Sequence, residues 1–451
     1  MAEKVLAVVL AAGEGTRMRS SLPKVLHEVG GLPMVGHVIR VIEQVGCEKI
    51  ALVVGNGAEK VEKAASQLKP DLTSFVQGER LGTAHAVLAA KAAFGDGAHD
   101  ILIGYGDTPL VRPDLFASVL KALNEGADVA MLGFEAENPT GYGRLIMDGD
   151  ALLAIREEKD ASDKERAITL CNSGIMGLKA EHALSLLEAI GNDNAKGEYY
   201  LTDAVEIARE RGLSVRAVLG CEEDTLGVNN RVELAQAEAI YQSRLRENFM
   251  LSGVTLSAPD TIHFSFDTEI GADTLIEPNC FFAPGVKIAD GVHIKANSYL
   301  EGDLKKGLLV EVAKGAVIGP YARLRPGADI HADAKVGNFC EVKNAVVAKG
   351  AKVNHLTYIG DAEIGEGANI GAGTITCNYN GFSKFKTSIG KGAFIGSNSA
   401  LVAPVTIEDG AYVGSGSVIT KDVSADALAI ARGKQFEKSG WARLFREKSK
   451  K

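Results

Sequence analysis

An apolar residue recurs at nearly every sixth position along the second half of the chain. The repeated positions are Ile270, Ile276, Phe282, Ile288, Ile294, Leu300, Val312, Ile318, Leu324, Ile330, Val336, Val342, Val347, Val353, Ile359, Ile364, Ile370, Ile389, Ile395, Leu401, Ile407, Val413 and Ile419. Neither the 3.6-residue period of a helix nor the two-residue period of a strand produces this spacing. The pattern predicts a parallel β-helix in which each hexapeptide repeat supplies one short strand and one corner. Three repeats then complete one coil, with the apolar side chains inside.

The first half of the chain follows a different pattern, in which short β-rich runs alternate with helical stretches. The β-rich runs are Val5–Leu10, Ile50–Val54, Ile101–Ile103 and Val129–Phe134, and the helical stretches include Met34–Val45 and Thr83–Ala93. This alternation predicts an α/β domain with a mostly parallel sheet. Arg231–Met250 has no glycine or proline and predicts a connecting helix. We therefore expect an α/β domain over residues 1–229, a linker helix over 230–250, and a β-helix domain with a C-terminal tail over 251–451.

The composition narrows the class of protein. The 451-residue chain has a net charge of −9, from 49 Lys and Arg against 58 Asp and Glu, which argues against a nucleic-acid-binding protein. No apolar run approaches the ~20 residues of a membrane-spanning helix. The six cysteines form no CxxC motif, and we expect free thiols in a reducing cytosol.

A glycine-rich segment, LAAGEGTRMR, spans Leu10–Arg19 directly after the first predicted strand. Gly13 and Gly15 let the backbone approach a phosphate, and Arg17 and Lys24 supply positive charge. The segment matches neither the GxGxxG dinucleotide motif nor the GxxxxGK[ST] phosphate loop. On spacing alone, both a phosphate-binding loop and an ordinary tight turn remain possible.

The longer string LAAGEGTRMRSSLPK resembles the signature of sugar-1-phosphate nucleotidyltransferases. Together with the hexapeptide repeats, the whole chain resembles the bacterial family of bifunctional N-acetylglucosamine-1-phosphate uridyltransferases and glucosamine-1-phosphate acetyltransferases. The strings YGDTPL, GYGR, GEYYLTD, GVNNR, ARLRPGA, HLTYIGDAEIG and NIGAGTITCNY also carry this resemblance. It implies a Rossmann-like mixed α/β nucleotidyltransferase domain followed by an all-β, left-handed parallel β-helix.

The resemblance also implies two reactions. The C-terminal half would transfer an acetyl group from acetyl-CoA to the amine of glucosamine 1-phosphate. The N-terminal half would transfer uridylyl from UTP to N-acetylglucosamine 1-phosphate with Mg²⁺, releasing pyrophosphate. The family further implies a cytoplasmic homotrimer with acetyltransferase sites between subunits.

For the uridylyl site, the resemblance implies that Asp107 and Asn229 hold the metal. Asp107 follows a predicted strand, at the edge where α/β sheets bind ligands, although an Asp before Pro109 is also a common turn cap. The residues implied to bind the UDP-sugar are Leu10, Ala11, Ala12, Gly13, Arg17, Lys24, Gln77, Gly82, Thr83, Tyr105, Gly106, Asp107, Gly143, Glu157, Asn172 and Asn229. Tyr199 and Thr202 are further candidates on the sugar side.

The stacking of repeats predicts a second site. Residues three repeats apart lie on one face, about 4.8 Å from each other, which makes Arg325 a neighbour of Lys343. Two adjacent cations repel unless an anion lies between them, so we expect a phosphate site, although a solvated pair is the simpler interpretation. Asn338, His355 and Ala372 should stack on the adjacent face. The repeat is expected to break over residues 376–388, beside these groups.

The resemblance implies that His355 is the catalytic base, a role that suits histidine because it titrates near neutrality. Glucosamine 1-phosphate would contact Arg325, Lys343, Tyr358 and Asn369, and acetyl-CoA would contact Ala372, Asn378, Tyr379, Ser397, Ser415 and Arg432. The basic tail Trp441–Lys451 is either a mobile flap or without a role.

Three other interpretations account for the sequence less completely. A single-activity nucleotidyltransferase with a purely structural β-helix would not need cations beside His355. A non-enzymatic sugar-nucleotide sensor would not need the metal pair. A zinc hydratase on a β-helix would need three converging histidines, but His331 is expected on a different face from His355.

Overall fold

The structure is a computed structural model, and it describes residues 4–47, 49–55, 57–95, 99–149 and 151–449. The chain divides into two compact units, Met1–Ser243 and Arg244–Lys451. Each unit has its own hydrophobic core.

A mixed sheet lies at the centre of the first unit. In chain order the strands are β1 (Val5–Ala11), β2 (Glu28–Val29), β3 (Leu32–Pro33), β4 (Lys49–Val54), β5 (Thr73–Val76), β6 (Asp100–Tyr105), β7 (Val129–Glu135), β8 (Arg144–Asp148), β9 (Ala151–Arg156), β10 (Leu170–Leu178) and β11 (Val215–Gly220). The sheet has the order β11-β7-β10-β6-β1-β4-β5, with β8 and β9 attached to β10, while β2 and β3 pair separately. β6, β1, β4 and β5 run parallel, but β10 runs antiparallel between β7 and β6. The predicted Rossmann-like mixed sheet is confirmed.

Helices pack against a sheet that is buried on both faces. They are α1 (Met34–Gln44), α2 (Ala58–Leu68), α3 (Thr83–Ala89), α4 (Pro113–Asn124), α5 (Asp163–Arg166), α6 (Ala180–Ala189) and α7 (Asp203–Glu210). Alternate residues of β1 enter two core clusters, with Leu6, Val8 and Leu10 in one and Ala7, Val9 and Ala11 in the other. A continuous apolar run of this kind is typical of a central parallel strand covered on both sides.

A long helix, α8 (Arg231–Leu251), spans the segment in which we expect the linker. The boundary between the two compact units falls inside it, between Ser243 and Arg244. Among the described residues, no helix combines the length and the apolar character needed to span a membrane.

The second unit is a parallel β-helix with three faces. Face one contains Thr255–Leu256, Leu275–Ile276, His293–Ile294, Val317–Ile318, Lys335–Asn338, Lys352–His355, Asn369–Ile370, Phe394–Ile395, Tyr412–Val413 and Leu428–Ala429. Face two contains Glu269–Ile270, Val286–Ile288, Val310–Val312, Ala328–Ile330, Thr387–Ile389 and Val405–Ile407, and face three contains Phe281–Phe282, Tyr299–Leu300, Arg323–Leu324, Ile375–Cys377, Ala400–Val402 and Val418–Ile419. The strands Glu341–Val347 and Tyr358–Ile364 turn the corner and belong to both of these faces.

The repeated apolar positions form the interior of this β-helix, as predicted. Of the 23 positions, 22 are buried, and Ile270 is half-buried. In uninterrupted coils, partners lie three repeats apart, as with Ile276 and Ile294 on face one. The six-residue period therefore determines both which residues form the core and how the strands pair.

The expected break in the repeat at residue 376 is wrong in one respect. Thr376 is fully buried at an interior position and pairs in register with Leu401. Its hydroxyl accepts from the Gly360 N–H (2.8 Å) and donates to the Gly360 carbonyl (3.1 Å). Because both hydrogen-bonding needs are met, a polar residue replaces the aliphatic one without a large desolvation cost. The insertion is therefore shorter and covers residues 378–386, which we call the inserted loop.

The basic tail forms a helix, α9 (Trp441–Ser449). Its side chains are exposed along the whole helix, including Trp441, Leu444 and Phe445.

Candidate active sites

The glycine-rich loop after β1 lies against Lys24. Gly15 has a left-handed backbone with φ of 62°. A Cβ at Gly15 would come within 2.6 Å of the Lys24 Cβ, so glycine is required for this close approach. The Lys24 side chain is 11% exposed. The loop therefore packs against the stem of a mostly buried lysine side chain.

The Lys24 ammonium contacts both residues expected to hold the metal. Its Nζ donates to the Asp107 carboxylate and to Asn229 Oδ1, the latter at 3.1 Å. The Asp107 carbonyl accepts from the Val228 N–H (2.9 Å), and the Asn229 N–H donates to Glu233 at the start of α8 (2.6 Å). Three segments far apart in sequence thus converge on one cation.

The donor atoms of this pair suit a magnesium ion. Mg²⁺ prefers carboxylate and carbonyl oxygens and completes its shell with water and phosphate oxygens. The oxygens of Asp107 and Asn229 both face the same positive group, Lys24 Nζ, so their combined field favours a cation at this point. The residues present fit the predicted metal.

The residues expected to contact the nucleotide lie at the carboxyl ends of parallel strands. Leu10, Ala11, Ala12 and Gly13 follow or end β1, whereas Gln77 and Gly82 lie between β5 and α3 and Thr83 begins α3. The Gln77 amide donates to the Gly82 carbonyl at 3.2 Å. Thr83 Oγ1 accepts from the Leu201 N–H at 2.9 Å, so this oxygen already holds the segment before α7. Arg17 is exposed in the loop.

Gly143, Glu157 and Asn172 lie together, as expected for the sugar side. The Asn172 N–H donates to the Gly143 carbonyl at 2.8 Å, and a Cβ on Gly143 would lie 3.4 Å from Glu157 Oε1. The Thr202 hydroxyl donates to the same Glu157 oxygen at 3.3 Å. Burial raises the pKa of Glu157, whereas the Thr202 hydrogen bond opposes this shift.

Tyr105 and Gly106 connect the sugar side to the metal pair. The Gly106 N–H donates to the Leu10 carbonyl at 2.9 Å, which holds the end of β6 against the glycine-rich loop. Burial raises the pKa of Tyr105, and the nearby carboxylates of Glu157 and Asp107 add to this shift. Tyr105 and Gly106 thus lie between the glycine-rich loop and the carboxylates of Glu157 and Asp107.

In the second unit, His355 lies at the end of a face-one strand beside Asn338. Their strands pair in register, and Asn338 Oδ1 lies 2.7 Å from His355 Nδ1. A carboxamide oxygen only accepts hydrogen bonds, so in the neutral ring Nδ1 donates to Asn338 and Nε2 is the acceptor. This tautomer suits a general base.

A column of outward positions continues from His355 along face one. The register places Ala372, Ser397 and Ser415 on successive coils above it, and the Arg432 guanidinium donates to the Ser415 carbonyl. At about 4.8 Å per coil, His355 to Ser415 spans about 14 Å. Four of the residues expected to bind acetyl-CoA, Ala372, Ser397, Ser415 and Arg432, thus follow one line along face one.

Arg325 and Lys343 form a row on face three, and Tyr358 lies in the neighbouring row, where it pairs with Glu341. Leu324 pairs with Val342, and Lys343 pairs with Gly360, so the predicted stacking of Arg325 on Lys343 is confirmed. The Tyr358 ring folds over Gly360, which leaves no room for a side chain there. Arg325 also pairs with Glu341 at 2.7 Å.

Sequence reasoning missed Lys384, which the inserted loop brings to this row. Arg325, Lys343 and Lys384 line one cleft of about 540 Å³. The Lys384 ammonium lowers the pKa of Lys343, as expected for two cations in close proximity. The available signal was the pair of lysines in the FSKFK segment of the insertion.

The inserted loop also positions two residues expected to bind acetyl-CoA. Asn378 is buried and donates to Asp361, at the corner after face three. Tyr379 is 60% exposed and donates to the Gly381 carbonyl within the loop.

Asn369 is not brought to the phosphate row within this chain. It shares face one with Ala372 but lies three residues earlier, about 10 Å along the strand. Tyr358 and Lys343 lie on face three. In the part of the chain that the structure describes, Asn369 and the row of Arg325 and Lys343 therefore lie on different faces of the β-helix.

Two family models match the chain. The MobA-like NTP transferase domain matches residues 7–169, and the bacterial transferase hexapeptide (six repeats) matches 267–302 and 386–421. The chain is 56% identical over 442 residues to the bifunctional protein GlmU of Azorhizobium caulinodans, covering 98% of this chain and 97% of that protein. The chain belongs to the bifunctional GlmU family. The GlmU proteins of a Chelativorans species and of Agrobacterium fabrum are 58% and 54% identical, over 98% and 100% of this chain and 96% and 98% of theirs.

Membership of the GlmU family confirms the predicted family and its two transferase domains. This membership argues against the interpretations as a single-activity enzyme and as a non-enzymatic sensor. The zinc hydratase is also disfavoured, because His331 contacts Asp329 at 3.1 Å whereas His355 contacts Asn338.

A charge pair connects two loops of the nucleotidyltransferase domain. The Glu14 carboxylate, in the glycine-rich loop, pairs with Arg80, just before Gly82. This pairing neutralises a negative charge that would otherwise repel a nucleotide phosphate. No local sequence signal links the two residues, since the contact forms only when β1 and β5 enter one sheet.

Asp203 provides a stability test in the same domain. Burial raises its pKa to about 6, and Glu206 and Glu157 contribute. Because the folded state holds this proton more tightly, the side chain costs stability as pH rises from about 4 through 6. At pH 8, Asp203→Asn is expected to raise the melting temperature of the α/β unit by about 2–4 °C. This follows because the charge on a half-buried carboxylate lowers the free energy of unfolding by about 1 kcal/mol.

The gain from Asp203→Asn should shrink as the pH falls toward 4.5, as measured by calorimetry. The control Asp163→Asn, on a carboxylate that is 99% exposed, should show no such gain. A gain that grows toward low pH would contradict the assignment.

Proposed function

We propose that the chain makes UDP-N-acetylglucosamine in two steps. The β-helix unit acetylates glucosamine 1-phosphate with acetyl-CoA, and the α/β unit joins the resulting N-acetylglucosamine 1-phosphate to the uridylyl group of UTP, releasing pyrophosphate. The observation that carries this proposal is a cleft in the same β-helix as His355, in which five cationic residues, among them Arg325, Lys343 and Lys384, outnumber three carboxylates. A β-helix with only a structural role has no need for such a cleft.

In the proposed acetyl transfer, the cleft holds the sugar phosphate while the neutral amine of the substrate attacks the thioester carbonyl. His355 Nε2 accepts the proton that the attacking nitrogen loses. The C–S bond then breaks, and the departing CoA sulfur takes this proton from His355, which leaves the amide and the free thiol of CoA. The column from Ala372 to Arg432 holds the pantetheine arm and the phosphates of acetyl-CoA. The Asn338 contact keeps the imidazole in the accepting tautomer.

In the proposed uridylyl transfer, two anions must approach each other, so positioning and charge neutralisation supply most of the catalysis. Lys24 and Arg17 balance the UTP phosphates, and Glu157, Asn172 and Gly143 orient the sugar. Asp107 and Asn229 would hold Mg²⁺, which when bound neutralises phosphate charge.

We further propose that the chain acts as a cytoplasmic homotrimer. The hexapeptide repeats support this, and on this proposal Asn369, on face one, would contact a sugar that Lys343 and Tyr358 of another copy hold. The proposed division of labour assigns residues 1–229 to uridylyl transfer, 230–250 to a linker and 251–451 to acetyl transfer.

Two coupled assays test the proposed function. CoA release is followed with acetyl-CoA and glucosamine 1-phosphate, and pyrophosphate release with UTP, Mg²⁺ and N-acetylglucosamine 1-phosphate. Both should proceed, and glucosamine 1-phosphate should yield UDP-N-acetylglucosamine only when acetyl-CoA is present. Absence of either release from the folded protein would overturn the proposal.

Alanine variants of Arg325, Lys343 and Lys384 test the phosphate cleft. Each should raise the KM for glucosamine 1-phosphate about tenfold to a hundredfold, because each removes a charge-assisted contact. Double variants should be non-additive, since all three act on one anion. Lys391→Ala, on an exposed lysine paired with Glu366, is the matched control. Unchanged KM in all three variants would show that the cations serve another purpose.

A further inference from the structure

The guanidinium of Arg144, at the start of β8, is 1% exposed and joins three segments. Nε donates to the Ile168 carbonyl at 3.1 Å, and Nη2 donates to the Arg166 carbonyl at 3.2 Å. Nη1 donates to the Tyr142 carbonyl, and Nη2 pairs with Glu158 Oε2 at 2.8 Å. Arg144 therefore contacts its own loop, the Glu158 turn and the segment leading into β10.

Burial of the Arg144 guanidinium is not the most stabilising way to fill this part of the interior. Removing a guanidinium from water is costly, and apolar residues of similar volume often give equal or greater stability. The fork geometry of arginine, however, can satisfy several carbonyls and one carboxylate in fixed directions, which neither lysine nor an apolar residue can do. The contacts of Arg144 thus favour a role in geometry over a role in stability alone.

The segments that Arg144 holds are those that carry the sugar-side residues. Gly143 lies between Tyr142 and Arg144, and Glu157 precedes Glu158. Glu158 also accepts from the Gly141 N–H at 3.3 Å, so one carboxylate joins the loop before Gly143 to the turn after Glu157. The Arg144 hydrogen bond lowers the pKa of Glu158, which keeps this pair charged.

We propose that Arg144 and Glu158 form a clamp that positions Gly143 and Glu157 for the sugar phosphate, an inference that rests on the proposed uridylyl transfer. Neither residue touches the substrate; both are positioning residues. The clamp fixes the gap between Gly143 and Glu157, where a Cβ at Gly143 would already lie 3.4 Å from the carboxylate. The residues expected to bind UTP lie on other elements, at β1, β5 and α3. The clamp should therefore act on one substrate and not on the other.

The test compares KM values for the two substrates of pyrophosphate release in the full chain. Arg144→Lys keeps the charge but loses the fork, and should raise the KM for N-acetylglucosamine 1-phosphate about tenfold to a hundredfold. The KM for UTP should change less than about twofold. Glu158→Gln keeps the shape and all three carbonyl contacts of Arg144, so it should fold and raise the sugar-phosphate KM about three- to tenfold. CoA release should stay at the wild-type rate in both variants.

Arg216→Lys is the matched control, because Arg216 on β11 is 45% exposed and pairs with Glu125. It should change neither KM. An equal rise in both KM values, or a lower melting temperature with both KM values unchanged, would show that Arg144 only stabilises the fold and would overturn the clamp. If wild-type protein itself releases no pyrophosphate from these substrates, the proposed function fails, whereas normal wild-type release with unaltered variants refutes the clamp alone.

Discussion

Asp107→Ala is expected to abolish pyrophosphate release while CoA release continues near the wild-type rate. The Asp107 side chain is 19% exposed, contacts the Lys24 ammonium and would hold the metal together with Asn229. Its loss leaves Lys24 without its carboxylate partner and removes a charged group from the place where two phosphates must meet. Losing one preorganised electrostatic contact typically costs 10²–10³-fold in rate, and we expect about a thousandfold or more here.

The control for this variant is Asp114→Ala, on an exposed aspartate at the start of α4 that pairs with Arg112. It should leave both activities unchanged. Asp107→Asn should retain more activity than the alanine variant, because an amide oxygen can still face a cation. Loss of both activities in folded Asp107→Ala protein would contradict two separate sites.

His355→Ala is expected to lower the kcat of acetyl transfer about 10²–10⁴-fold with little change in the KM for glucosamine 1-phosphate. The proposed base acts on the amine, whereas the phosphate is held by the separate cleft on face three. Asn338→Ala should give a smaller loss, about tenfold, because it removes the contact at Nδ1 but leaves the imidazole. The rate of CoA release under saturating substrates measures the kcat of both variants, and its dependence on the glucosamine 1-phosphate concentration gives the KM.

His331→Ala is the matched control for this series, because His331 is a half-exposed histidine of the same β-helix that contacts Asp329. It should behave as wild type. A His355→Ala variant that keeps its kcat and instead loses substrate affinity would make His355 a binding residue, and the general-base assignment would be wrong.

In the β-helix, the six-residue period of the sequence predicts contacts between residues on neighbouring coils. Each coil repeats the same strand and corner, so a contact between neighbours on one face follows from counting residues. This is why the stacking of Arg325 on Lys343, and of Asn338, His355 and Ala372, was predicted from the sequence and is present in the structure. The count failed only where a residue satisfied its hydrogen bonds inside the coil, at Thr376.

In the α/β unit, the sequence pattern predicts fewer of the contacts between distant residues. The pattern predicted its strands, helices and the position of Asp107 at the end of a strand. The pattern alone, however, gave no reason for the antiparallel β10 to lie between β7 and β6, because strand order depends on which helices and strands pack together. The joint contact of Asp107 and Asn229 with Lys24 likewise requires the folded sheet.

The sequence by itself determined the family, the two fold classes, the core of the β-helix and the register of its stacked residues, because these follow from short-range periods and unbroken motifs. Only the tertiary structure decided the position of Lys384 in the phosphate cleft, the Glu14–Arg80 pair and the contacts of Arg144. These features join side chains from segments distant in the chain or from an irregular loop. A charged side chain that is removed from water needs a hydrogen-bonding or charged partner, and folding brings that partner from a distant part of the chain. No local pattern of residues specifies which partner this is.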